Sequence, residues 1–156
     1  MRNKRGEGYI TTCVMVVIIC MLVAVFVTFT TAVSVVRITE RNSKIVLDSY
    51  VMKNSILIYD SIKNGNDYTV DLNEDVYIDD LCAFCTFEKN GDFLYAYSSD
   101  RKLKYRISEP TVSFSTEGTL KVRASYTVYV PIDFAGVVVS TAELPITVES
   151  KFNEKF

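Results

Sequence analysis

Between Glu7 and Arg37 the chain runs for 29 residues, Gly8 to Val36, without one charged side chain. About 20 apolar residues span a hydrocarbon core as a helix, so this run is long enough with some to spare. Val14–Val27 alone holds ten Val, Ile, Leu or Phe. At roughly 0.3–0.6 kcal/mol each these favour insertion by about 3–6 kcal/mol. The β-branched content would suggest a strand in water. In lipid an open strand leaves its backbone polar groups unpaired, and the helix wins. Thr28, Thr30, Thr31 and Ser34 lie at the outgoing end, where their hydroxyls can bond back to helix carbonyls. A cleaved secretory signal is the competing reading, with Ala32-Val33-Ser34 as a small-x-small site. A signal core of 7–15 residues is about half this length, so the run reads as a retained anchor.

Charge is unevenly divided around that anchor. Residues 1–66 carry eight Lys/Arg against four Asp/Glu, and residues 67–156 carry nine against fifteen. Clustered cations are what phosphate binding requires, so no nucleic-acid partner is expected. Arg2, Lys4 and Arg5 before the run nearly balance Arg37, Arg41 and Lys44 after it. The acidic second half tilts the expectation toward a cytoplasmic N-terminus and an extracytoplasmic head, in a single-pass cell-membrane protein. The chain has no histidine, which excludes Ser-His-Asp and Cys-His catalysis and histidine-ligated metals.

Beyond the anchor, Ile38, Ile45, Met52 and Tyr59 recur every seven residues, with Ile56 on the same face. No Gly or Pro interrupts residues 37–63, which predicts one helix continuing from about Gly8 to Lys63. For residues 50–62 the stripe is expected to pack on the protein's own head. The sharper alternative is helix–helix contact between copies through Ile38, Ile45, Met52 and Ile56. Asn64-Gly65-Asn66-Asp67 then stops the helix and the period changes to two. Tyr68 to Leu72, Leu81 to Glu88, Phe93 to Tyr97, Leu103 to Ile107, Val112 to Phe114, Leu120 to Val130 and Leu144 to Val148 read as strands. Asn90-Gly91 marks a hairpin, Glu117-Gly118 a further turn, and Pro131 should end ladder pairing. The predicted fold is α+β. It comprises a basic leader (1–8), a transmembrane helix (9–36), a helical stalk (37–63) and an antiparallel β-rich head (67–156), with the helix packed on the small sheet.

Chemistry is sparse. Cys82-Ala83-Phe84-Cys85 falls in an apparent strand, whereas a redox site needs a helix N-terminus and a structural zinc needs four ligands. In a regular strand the two thiols lie too far apart to bridge, but a turn or bulge would permit a Cys82–Cys85 disulfide. Free or otherwise paired thiols are the alternative. Cys13 and Cys20, seven apart, are expected to be buried apolar thiols of the span. Asp71, Glu74, Asp75, Asp79 and Asp80 lack a calcium-loop pattern and read as a solvated rim. No catalytic residues, cofactor or metal ligands are predicted, and an enzyme is the least expected class.

The short basic leader Arg2-Asn3-Lys4-Arg5-Gly6-Glu7-Gly8-Tyr9 runs straight into the long apolar helix, and the helix into a small β-rich head. This layout resembles the pilin-like proteins of the type IV filament superfamily. It is most similar to the pseudopilins of tight-adherence systems, of the TadE/TadG type, and to related membrane proteins of Gram-positive bacteria. Arg5 to Ile10, and Pro131-Ile132-Asp133-Phe134 through Leu144 to Ser150, carry the motif-level likeness. The resemblance implies a prepilin peptidase cutting after Gly6 or Gly8. It also implies partners among pilin-like subunits and assembly-platform proteins. The family's glutamate five residues into the mature helix would be Thr11 or Cys13 here. That departure points to an accessory component of a pilus or secretion-type apparatus rather than a major filament subunit. The alternative class is a monomeric, membrane-anchored binding module.

Overall fold

A computed structural model describes residues 4–64, 73–115, 121–134 and 137–151. The chain divides into two compact units, Met1–Ser34 and Val35–Phe156. Helix α1 (Lys4–Lys53) supplies the first unit and opens the second. Within the first unit the four consecutive residues Met15, Val16, Val17 and Ile18 are all exposed, although they point around the whole circumference of the helix. The stretch is long and apolar enough to cross a membrane, and no part of its most apolar window is buried by protein. A helix apolar all round needs an apolar environment on every side. The hydroxyls of its outgoing end behave as expected. Thr28 donates to the Ala24 carbonyl, Thr30 to Phe26, Thr31 to Val27 and Ser34 to Thr30, all at 2.8–2.9 Å.

The second unit is α+β. A short helix α2 (Ser55–Asn64) follows α1, and α3 (Glu74–Cys85) precedes the strands β1 (Glu88–Asn90), β2 (Phe93–Tyr97), β3 (Leu103–Ser108), β4 (Thr111–Ser115), β5 (Lys121–Phe134) and β6 (Val137–Lys151). All strand pairs are antiparallel. β6 pairs β5 along its length, while β3 and β4 pair successive parts of the other edge of β5. The break between β3 and β4 falls at Glu109-Pro110, where the Ser108 hydroxyl accepts from the Thr127 N–H at 2.9 Å. Alternation sets the inner face: Leu94, Ala96, Ile107, Val112, Val122, Ala124, Tyr126, Val128, Ile146 and Val148 are buried. At the hairpin Asn90 pairs Phe93, and Gly91 takes φ 59° as the first of two loop residues, a position that favours glycine.

Four expectations are corrected. The stalk is not one helix to Lys63: α1 ends at Lys53, and Asn54 separates it from α2. Both the backbone N–H (3.2 Å) and the side-chain amide (2.9 Å) of Asn54 bond the Tyr50 carbonyl. A side chain competing for a helix carbonyl is a local alternative to the regular ladder. The second correction concerns residues 74–85, which form a helix rather than a rim and a strand. Asn73 caps it, its Oδ1 accepting from the Asp75 N–H at 2.9 Å. Glu74 and Asp75 in the first turn complement the helix dipole. Thirdly, Pro131 does not end β5 but sits opposite Thr141 of β6, where the described residues give β5 no neighbour on its other edge. Proline is tolerated at such an edge. Lastly, the heptad stripe does not pack on the head, as the next section describes. The predicted strand Tyr68–Leu72 and turn Glu117-Gly118 lie outside the described residues.

Helix α3 ends in a left-handed Thr86, φ 57°, with the Thr86 and Phe87 N–H groups both on the Cys82 carbonyl. A β-branched residue there is strained, where glycine is not. Thr86→Gly is therefore expected to stabilise the head by about 1 kcal/mol. A raised denaturant midpoint checks this; an unchanged or lower one would mean that Thr86 is unstrained in solution.

Candidate functional site

The part of α1 in the second unit has two dissimilar faces. Thr39, Ser43, Val46, Leu47, Tyr50 and Val51 are buried. Ile38, Ile45 and Met52 are exposed, Ile45 at 44% and Met52 at 75%, and Ile56 and Tyr59 of α2 are exposed as well. At 3.6 residues per turn, Ile45 lies roughly 160° around the helix from the centre of the buried arc. The apolar stripe therefore points away from the sheet, with the exposed Arg41 and Lys44 to one side of it.

The buried face is held by hydroxyls. Ser43 Oγ and Tyr77 OH share a hydrogen bond of 2.7 Å, and Tyr126 OH donates to the Thr39 carbonyl at 3.4 Å. Tyr50 OH donates to the Asn73 carbonyl at 3.0 Å, and Ser150 Oγ to Asp48 Oδ1 at 2.6 Å. The Tyr50 and Tyr77 rings meet edge to face, centroids 6.2 Å apart. Among the described residues every buried side-chain N or O has a partner. Burial pushes the Tyr77 phenol up to about 12, against the opposing bond from Ser43, and raises Tyr126 for the same leading reason.

Cys82 and Cys85 come together on successive turns of α3 as half-buried free thiols. They stand at the helix C-terminus, the end opposite to that which activates a thiolate. Burial, with Asp79 adding for Cys82, raises both thiols. This arrangement suits packing better than exchange chemistry. Cys13 and Cys20 are exposed on the apolar helix, so protein does not bury them. Gly6 and Gly8 lie inside α1, where each glycine costs about 0.5–1 kcal/mol relative to alanine. The acidic residues Glu74, Asp75 and Asp79 are exposed on α3, while Asp80 pairs Lys53 at 2.7 Å. Among the described residues no three acidic or sulfur side chains converge as metal ligands would.

One grouping has no signature in the sequence. On the outer sheet face the Arg106 guanidinium carbon lies 4.6 Å from the Phe93 ring centroid and 5.0 Å from that of Tyr129. Tyr95 pairs Arg106 in register and stacks on Tyr97 at 6.3 Å. Only the pairing of β2, β3 and β5 assembles this ladder. No family model, curated protein or solved structure matches the chain.

Proposed function

We propose that this protein is a non-enzymatic, membrane-anchored structural component of the pseudopilin kind, its N-terminus cytoplasmic and its head extracytoplasmic. Its copies pack side by side through Ile38, Ile45, Met52 and Ile56. The observation that carries this reading is the apolar stripe left exposed on the helix face opposite the sheet. Fully burying one such side chain is worth roughly 1.5–3 kcal/mol, enough for a few to order neighbouring helices already confined to a membrane.

Crosslinking in native membranes tests it. In a chain whose four native cysteines are replaced by alanine, single cysteines placed along residues 38–56 are expected to crosslink best at 38, 45, 52 and 56. Ile45→Asp should abolish the crosslinks while moving head stability by no more than about 0.5 kcal/mol, as for other exposed positions. A flat profile would remove lateral assembly. The monomeric binding module would then be favoured, with the outer-face ladder of Phe93, Tyr95, Arg106 and Tyr129 as its contact surface.

A further inference from the structure

Resting on the lateral-assembly reading above, we infer that α3 completes the interface between copies: in a two-fold pair, Phe84 of each copy packs against the Arg41 flank of the other copy's α1. Phe84 and Val76 are exposed at 54% and 45%, although α3 buries Tyr77, Ile78 and Leu81 in the head. At about 100° per residue, Val76, Asp80 and Phe84 fall together on one flank of that buried face. Asp80 is the member that pairs with Lys53 of α1, and both partners are partly exposed. This flank therefore lies at the open rim of the α1–α3 seam. At the other end of the seam the Asn42 side chain hydrogen-bonds the Cys85 thiol.

The rim borders the apolar stripe. Asn42 and Lys53 lie about 60° and 80° around α1 from Ile45, in the same sense. The exposed Ser49 stands between, about 40° from Ile45, as the small floor of a shallow groove. Ile45 and Met52 form one wall of the groove, and Val76 and Phe84 the other. Arg41 stands about 40° to the opposite side of Ile45, outside the groove.

A second copy is the occupant that this shape fits. A stable pair of chains buries roughly 800 Å² on each side, some 20–30 residues, so a single row of four side chains falls short. The second wall adds area from an element already in place. Two-fold pairing is self-complementary, so the stripe of each copy enters the groove of the other. Chains anchored in one membrane enter it with one polarity, so the two α1 helices run parallel and level. Asn73 bonds Tyr50 and Cys85 bonds Asn42, so α3 runs antiparallel to this part of α1. Phe84 is thereby brought to the height of Arg41 in the other copy. A guanidinium stacks readily on an aromatic ring, as Arg106 does on Phe93 within the head.

Crosslinking between unlike positions tests this. Two differently tagged cysteine-free chains, one carrying Phe84→Cys and the other Arg41→Cys, would be co-expressed and oxidised in native membranes. Ile45→Cys serves as the stripe control. The inference expects abundant dimers between positions 84 and 41. It expects few between two Phe84→Cys chains, because a two-fold puts the two α3 helices on opposite sides of the pair. Phe84→Asp should also lower the Ile45→Cys dimers roughly tenfold, the equivalent of one buried side chain, with the head's denaturant midpoint unchanged. Strong Ile45→Cys dimers without the 84–41 product overturn the inference and leave lateral assembly standing. Abundant dimers between two Phe84→Cys chains mean that copies meet α3 to α3, and overturn it too. If Ile45→Cys itself forms no dimer, lateral assembly fails and this inference with it.

Discussion

Replacing Leu47 by alanine is expected to cost the head about 3 kcal/mol, within the 2–5 kcal/mol typical of buried leucines. The same truncation at Ile45, two residues earlier, is expected to cost less than about 0.5 kcal/mol. Leu47 is wholly buried and Ile45 is 44% exposed. By composition the two positions look alike, and by helical spacing Ile45 belongs to the better apolar stripe. The pair of variants therefore asks which face of α1 the sheet covers. Denaturant unfolding of the full chain in detergent, followed by near-ultraviolet tyrosine dichroism, measures both. Equal losses would mean that the stripe is buried in the monomer. The lateral-assembly reading would then lose the observation on which it rests.

That contrast shows where the sequence is legible and where it is not. The apolar run, the strand alternation of Lys121 to Val130 and the Gly91 hairpin are local patterns, and each forms as its residues dictate. The covered face of α1 is a non-local outcome. Thr39 and Ser43 go inside because the tyrosines of α3 and β5, Tyr77 and Tyr126, stand ready to bond them. Polar residues with buried partners are satisfied, so apolar periodicity alone picked out the wrong side. Helix α3 could have been found. Asn73 followed by Glu74 and Asp75 is an N-terminal capping signal, and Tyr77, Ile78 and Leu81 follow at helical spacing. The Cys82–Cys85 spacing within a short apolar stretch competes with that signal, since such runs fit strand or helix equally. Arg106 between Phe93 and Tyr129 depends on the register of three strands, and no linear pattern encodes it.

The head is also expected to lose stability between pH 10 and about pH 12 through Tyr77. An unfolded phenol ionises near 10.0, whereas burial holds the folded one up to about 12. A raised folded value means that the native state binds the proton more tightly than the unfolded state. The contribution is therefore complete below pH 10 and disappears as the pH climbs through the folded value. Two units correspond to about 3 kcal/mol. Lysines and other tyrosines titrate in the same range, so the informative quantity is the difference from Tyr77→Phe. That variant should lose about 1 kcal/mol near neutrality with the Ser43 bond, and then decline less steeply above pH 10. Denaturant midpoints at successive pH values give both curves. Parallel curves would mean that Tyr77 ionises within the folded head. The hydroxyl-lined seam of Ser43, Tyr77 and Tyr126 would then be wet rather than sealed.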